Sequence, residues 1–430
     1  MMKKISILVI TFLPFAIIAQ VKTNTELKNL ITQSFTYFPK VKEAENAITT
    51  AQEKIELTKL NALPTVDGIG NYTYLAPVSK VSFPVNGVNT PLQFQPNHNY
   101  SLGANGNYVI YDFGRQKATI EKSKTELQFA KDNVDYVKGQ LANQVAVVYY
   151  NIVYLQKAIS IQDSVLNYLI ENKKIVQSKL NNGDALKIDI LNIQANIDNE
   201  ENRKIDLKNS LQKQLNLLSY TTGNSISNGI SFDFELNIKV IDLLLSDATN
   251  NNLDFKLAAD RIKQAKADMD ITKLHDKPTI AANAGVGFKN GYVPELQKFQ
   301  FNGLAGISAN VPLYTGGRTK QQIKLQQTIV KQNELAIETL NNAYRKDIQQ
   351  ALADIASNIE RINNTAGQIE QAKVAQTLAS VRFKNDVGTN LEITNASTNV
   401  QRALLTKLQY EYQLCLAKVE LARLIGAKYW

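Results

Sequence analysis

Cysteine and histidine are nearly missing from this 430-residue chain, which has one Cys, Cys415, and two His, His98 and His275. A single cysteine excludes an intrachain disulfide framework and a cysteine-based zinc site. The histidines lie far apart in sequence, so neither a His-rich metal site nor a His-based triad is expected. Beyond the first 20 residues no apolar run approaches the ~18–20 residues that a transmembrane helix needs. Proline is missing from 115–180, where the only Gly is Gly139.

Two short motifs invite a catalytic reading and fail it. Asp112-Phe113-Gly114 spells the kinase magnesium triplet, but no Gly-rich loop or catalytic-loop partner accompanies it. Gly316-Gly317-Arg318-Thr319-Lys320 lacks the Walker spacing. Both read as strand-to-helix corners, with Gly114, Gly316 and Gly317 permitting the tight turn. No catalytic residue, cofactor or metal site is expected, and the chain does not read as an enzyme. The formal charge of +9 is spread over residues such as Lys122, Lys124, Lys131, Lys138, Lys173 and Lys174. A nucleic-acid binder concentrates its charge on one face; this pattern fits solvated helices, and no nucleic-acid partner is expected.

What is present starts with a leader. Residues 1–20 carry Lys3-Lys4, an apolar stretch from Ile5 to Ile18, then Ala19-Gln20. This is the form of a secretory signal peptide, cleaved after Ala19 or Gln20. No Cys follows, so a lipid anchor is not indicated.

Four segments alternate with a period of two: about 64–75, 99–112, 279–289 and 299–314. In the second, Tyr100, Leu102, Ala104, Tyr108 and Ile110 alternate with Asn99, Ser101, Gly103, Asn105 and Asn107. In the fourth, Phe299, Phe301, Ala305, Ile307 and Ala309 alternate with Gln300, Asn302, Ser308 and Asn310. Alternation means a strand with one apolar and one polar face. These strands exceed the usual ~5–6 residues and match the ~10-residue segments of a membrane barrel. A water-soluble sandwich also alternates, so it stays as the other reading. In lipid a sheet must close, and closed barrels begin at about eight strands. Four strands cannot close alone, so the pattern predicts an oligomer. Residues 76–98, with Pro77, Pro84, Pro91 and Pro96, read as a long irregular loop.

The region 115–180 reads as one very long helix. In the register Leu141, Val145, Val148, Ile152, Leu155, Ile159, Gln162, Leu166, Leu169, Lys173, Val176, Leu180, ten of twelve positions are apolar. This is a coiled-coil spacing, and at ~1.5 Å per residue the rod is roughly 100 Å long. The same object returns at 318–384, where Ile348, Ile355, Ile362, Ile369, Gln376 and Phe383 repeat the register 203 residues later. The corners repeat too, as Tyr111 to Arg115 and Tyr314 to Arg318. Asn182-Gly183 and Val387-Gly388 interrupt the rods, and Asp189 and Glu392 begin returning helices at about 185–219 and 392–425. Shorter helices are expected at 24–62 and 246–275. The chain therefore reads as a tandem duplication, with a first repeat at 21–223, a connecting equatorial segment at 224–245 and a second repeat at 246–430.

In this ordered set the chain resembles the outer-membrane efflux protein family, the TolC-like channel-tunnels. The residues that carry the resemblance are Leu63-Pro64-Thr65 and Lys277-Pro278-Thr279 before the strands, Asp112 to Arg115 and Val311 to Arg318 at the corners, Gly183 to Asp189 and Val387 to Glu392 at the tips, and Leu421 to Gly426 near the C-terminus. The resemblance implies an α+β membrane protein: a homotrimer with a twelve-stranded barrel continuous with a helical coiled-coil tunnel. It also implies an outer membrane of a Gram-negative bacterium, contact with outer-membrane lipid, and a periplasmic helical part. The partners it implies are a periplasmic adaptor (membrane fusion) protein and, indirectly, an inner-membrane pump of RND or ABC type. The function implied is the exit duct of a tripartite efflux pump. The same fold serving type I protein secretion remains an alternative, as does a soluble periplasmic coiled-coil scaffold.

By position, the resemblance makes Asp184, Asp189, Asp386 and Glu392 candidates for the periplasmic tip or gate. It makes Asn182, Gly183, Val387, Gly388 and Thr389 candidates for adaptor docking. Family members can carry a second acid one turn later, where this chain has Asn192 and Asn395. Asp189 and Glu392 also suit the positive end of a helix, so pore lining and helix stabilisation both stay open. Arg382 and Lys384 are the bases that could pair with them.

Overall fold

The computed structural model describes residues 21–85, 88–224 and 231–430. The expected leader at 1–20 and residues 225–230 of the inter-repeat connection lie outside the described residues. The described residues form two compact units, one from Asn46–Lys131 with Ala258–Ala336 and one from the other described residues.

The first of these units holds the sheet. Strands β1 (Thr65–Tyr74), β4 (His98–Tyr111), β5 (Thr279–Lys289) and β6 (Gln300–Asn310) form one antiparallel sheet in the order β1-β4-β5-β6. Register keeps like faces together: Tyr72 pairs Tyr100, Leu102 pairs Phe288, and Phe288 pairs Phe301. The other face pairs Asn71 with Ser101, Asn107 with Asn283 and Ala281 with Ser308. The apolar face has no core behind it; Val66, Leu102, Val286, Phe301 and Ile307 are all exposed. Within 76–98 the expected irregular loop is instead a hairpin of β2 (Lys80–Val85) and β3 (Val88–Gln93), with Ser82 opposite Pro91 and Pro84 opposite Asn89. Prolines are tolerated there because a two-stranded ribbon has only edges.

The sheet's inner strands approach closely at Gly103 and Gly287. A Cβ on Gly287 would lie 2.5 Å from the Leu102 carbonyl oxygen and 2.7 Å from the Gly103 Cα. Each long helix leaves the sheet through a corner. At the first, the Asp112 carboxylate accepts the N–H of Gly114 at 3.0 Å and of Gln116 at 2.5 Å, capping the helix, and Gly114 has φ +93°. At the second, Gly316 and Gly317 have φ +63° and +74°.

The second unit is helical. Its members are α1 (Thr25–Tyr37) and the start of α2 (Pro39–Leu60), most of α3 (Arg115–Asn182) and α7 (Arg318–Lys384), then α4 (Lys187–Thr222), α5 (Ile241–Asn251), the start of α6 (Leu253–Lys273) and α8 (Asn390–Leu424). The helices expected at 24–62 and 246–275 are thus each broken in two. Phe38 is extended, as a residue before proline prefers, and Pro39 starts α2 at a position that needs no N–H. Asn252 is extended too, and its Oδ1 caps α6 by accepting the Asp254 N–H at 2.8 Å.

The larger core of this unit gathers Leu27, Ile31, Tyr149, Tyr150, Ile152, Leu244, Ile348 and Leu421. Residues 231–240 form no helix, yet they lay Phe234 into this core. Asn24 caps α1 and donates to the Tyr149 hydroxyl at 2.6 Å, while the Tyr150 hydroxyl donates to Asp233 at 3.2 Å. Burial, more than the neighbouring carboxylates, pushes both phenols up. On α3 the coiled-coil register holds: Leu141, Val145, Val148, Ile152, Leu155, Leu166, Leu169 and Val176 are buried.

Candidate functional site at the helix-hairpin tips

The α3–α4 and α7–α8 hairpins end in turns built alike. At the first, Asn182 is the last residue of α3 and Gly183 takes the left-handed conformation, φ +89°. Its N–H reaches the Leu180 carbonyl at 3.1 Å, and the Asp184 N–H reaches Lys179 at 2.8 Å. At the second, Asp386 has φ +62°, its N–H reaches Phe383 at 3.3 Å, and the Val387 N–H reaches Arg382 at 2.9 Å. These are the paired 5→2 and 6→1 bonds that satisfy the last carbonyls of a helix. Asp386, not Gly388, therefore holds the place of Gly183 in the turn. Aspartate fits because Asn and Asp visit the left-handed region more readily than other side chains. Gly388 has another reason to be glycine: a Cβ there would lie 2.9 Å from the Arg382 Cβ.

The acids divide their work. The Asp189 carboxylate accepts the Leu186 N–H at 3.0 Å, closing the start of α4. Thr389 caps α8, its hydroxyl accepting the Glu392 N–H at 3.3 Å. Glu392 faces Arg382 at 3.4 Å, and Arg382 also reaches the Val387 carbonyl at 3.4 Å. Lys384, the other candidate base, closes α7 with its side chain exposed. Among the described residues Asp184 makes no ion pair and stays exposed.

Several contacts join the two hairpins, and one lies at the tips themselves. Lys179 of α3 makes an ion pair with Asp386 and lies 5.1 Å from the centre of the Phe383 ring. Around it Leu166, Leu169, Val176, Ile193, Ile197, Phe383 and Ile393 form a small core. Asn172 donates to Asn390 at 3.0 Å within the same buried layer. The structure thus brings Asp386, Glu392, Val387, Gly388 and Thr389 onto one turn and Asn182, Gly183, Asp184 and Asp189 onto the other.

A polar knot above the tip escapes sequence reasoning. Buried Gln162 donates to Glu200 Oε2 at 2.6 Å and to the Glu200 carbonyl at 2.9 Å. Gln401 donates to Glu200 Oε2 at 2.7 Å and to Gln162 Oε1 at 3.1 Å, and Arg203 donates to Oε1 at 2.7 Å. The one signal available was Gln162 itself, a polar residue on an apolar seam. Gln162→Leu removes a donor from a buried carboxylate and a partner from Gln401, and is expected to destabilise the helical unit by about 1–3 kcal/mol. An unaltered thermal midpoint in this variant would show that the knot contributes nothing to stability.

Among the described residues no group of His, Cys, Asp and Glu could hold a metal ion, and no helix is long and apolar enough to cross a membrane. The sheet is different: one apolar exposed face, one polar face, and two unpaired edges at β1 and β6. Together with paired long helical hairpins, these features define a class: α+β proteins that combine a two-faced antiparallel sheet with long coiled-coil helices.

The family model for outer membrane efflux protein matches residues 30–224 and 244–427. The chain is 20% identical over 392 residues to outer membrane protein TolC of Salmonella enteritidis, covering 87% of this chain and 77% of that protein. It is 23% identical to an uncharacterized protein of Haemophilus influenzae, over 59% of this chain; the match spans only about half, 55%, of that protein. The fold is similar to the crystal structure of the outer membrane protein VceC from Vibrio cholerae, with a TM-score of 0.73 at 18% identity, over 93% of this chain and 96% of that one. The chain belongs to the outer membrane efflux protein family. Its family and fold are those of passive channels, and its place is the outer membrane of a Gram-negative bacterium with the helical part in the periplasm.

Proposed function

We propose that three copies of this chain form the exit duct of a tripartite efflux pump. Substrates pass through it from a periplasmic adaptor and an inner-membrane transporter to the outside. The observation that carries this reading is the sheet. Its apolar face suits lipid, its polar face suits a water-filled lumen, and its two open edges demand closure. Three copies of a four-stranded sheet supply twelve strands, above the closure minimum of about eight.

In this reading the hairpin tips are the periplasmic end. The exposed turns at Asn182-Gly183 and Val387-Gly388-Thr389 are where an adaptor docks. Three copies gather Asp184, Asp189, Asp386 and Glu392 around one axis. Rings of carboxylates attract cations and repel one another, and Lys179 and Arg382 offset part of that charge within each copy. The protein reconstituted in planar bilayers is expected to give discrete conductance steps. Replacing Asp189→Asn and Glu392→Gln together should weaken block by divalent cations several-fold. Unchanged block would remove these two acids from the lumen, and a protein that never conducts would overturn the duct itself.

A further inference from the structure

The chain contains one seam between its two repeats inside the sheet, and that seam is a guide to the one it lacks. Within the chain, β4 of the first repeat pairs with β5 of the second, with Asn107 opposite Asn283 and Ala104 opposite Val286. Just beyond, the Arg115 guanidinium at the start of α3 donates to three carbonyl oxygens past the end of α6, those of Leu274, His275 and Lys277, each at 3.3 Å. The first two carbonyls follow directly on the last turn of α6, a natural place for a cation.

The duplication leaves the same parts unmated on the outer edges. Arg318 stands at the start of α7 as Arg115 stands at the start of α3. Among the described residues its side chain meets only its own turn, Nε donating to Thr315 at 3.1 Å, and it is exposed. The end of α2 repeats the end of α6: Leu63 N–H reaches Leu60 at 2.9 Å where Lys277 N–H reaches Leu274 at 3.1 Å, and each turn leads through a proline into a strand. Leu60 and Leu63 are exposed there, and so are Leu313 and Tyr314 beyond β6, at 92% and 90%.

We propose that the seam between copies reproduces the seam within the chain. Strand β6 of one copy pairs antiparallel with β1 of the next, Asn310 opposite Ile69 and Ile307 opposite Tyr72. Arg318 of the first copy then donates to the carbonyl oxygens of Leu60, Asn61 and Leu63 at and just past the end of α2 of the second. The inference rests on the three-copy reading above and adds its register and its clamp. Face parity agrees with it: Ile307 and Tyr72 both lie on the apolar face, and Asn310 and Ile69 both lie on the other. The occupant of each open edge is a second copy because the edges and their flanking turns complement one another.

Cysteine pairs test the register. Cα atoms opposite one another across a strand pair lie within disulfide reach. Within one copy, β1 and β6 are three strand spacings apart, roughly 14 Å, so no intrachain bond can form. The native Cys415 is buried, and burial pushes its thiol up, which keeps it out of the reaction. Full-length protein carrying Tyr72→Cys with Ile307→Cys, oxidised in the outer membrane, should run on non-reducing gels as linked dimers and trimers. Its yield should exceed several-fold that of the slipped pairs Gly70→Cys or Tyr74→Cys with Ile307→Cys. The pair Ile69→Cys with Asn310→Cys reports the same register from the polar face if the first pair assembles poorly. Arg318→Ala should lower the temperature at which detergent separates the copies. A trimer that links best in a slipped register, or not at all, overturns this inference and leaves the duct standing. A trimer whose separation temperature ignores Arg318→Ala overturns the clamp. A chain that stays monomeric overturns the duct and the seam together.

Discussion

Gly426→Val is expected to destabilise the helical unit by about 3–5 kcal/mol. Gly426 follows α8 with φ +68°, a conformation a β-branched residue adopts only under strain. Its neighbours repeat the tip geometry: Gly426 N–H reaches Arg423 at 3.2 Å and Ala427 N–H reaches Ala422 at 2.9 Å. Space is lacking as well, since a Cβ would lie 2.6 Å from the Asn251 carbonyl carbon and 2.7 Å from the Asn252 nitrogen. Asn252 cannot retreat without loss. Its Nδ2 donates to the Arg423 and Leu424 carbonyls at 2.9 Å each, tying the α5–α6 break to the end of α8. Trp430, the only tryptophan of the chain, reports the change. Its ring lies 5.9 Å from Phe35 and 5.2 Å from Tyr429. The midpoint of its fluorescence change on heating should fall by on the order of 10 °C. A fall of only a degree or two would mean that the α8 end is free to rearrange.

Val286→Arg is expected to cost about 2–4 kcal/mol for insertion, because the charge must enter the lipid side of the sheet. Val286 is exposed, opposite Ala104 on β4 and Gly303 on β6, in the middle of the apolar face. Three residues away, Asn283 lies on the other face, opposite Asn107 and Gly306. Asn283→Arg should be tolerated there, since water would solvate its guanidinium in a lumen. The comparison is made by the amount of folded, heat-modifiable protein recovered from outer membranes. Equal recovery of the two variants would mean that the apolar face does not meet lipid.

The sheet was readable in the sequence because a two-residue period survives any tertiary context that leaves one face apolar. The duplicated corners and the long coiled-coil register were readable for the same reason: each is a local pattern repeated. The β2–β3 hairpin was not, because Pro84 and Pro91 signal a loop unless the strands that carry them have free edges. The breaks at Phe38 and Asn252 hide inside amphipathic stretches. Pro39 marks the first, but proline also suits a helix start, and Asn252 marks the second only through bonds to α8. At the tip, the acids could be named but not their tasks. Asp189 closes its own helix, Asp386 takes the turn position a glycine holds in the first repeat, and Lys179 reaches it across two hairpins more than 200 residues apart in sequence, as Asp386 lies 207 residues away. The Gln162–Glu200–Gln401 knot also depends on three helices meeting, which no local pattern encodes.

Native mass spectrometry of the protein extracted by detergent from outer membranes tests the three-copy duct most directly. Three times the mature chain mass is the expected result. A monomer recovered from the soluble periplasmic fraction would contradict it, because a four-stranded sheet with open edges would then have found closure some other way.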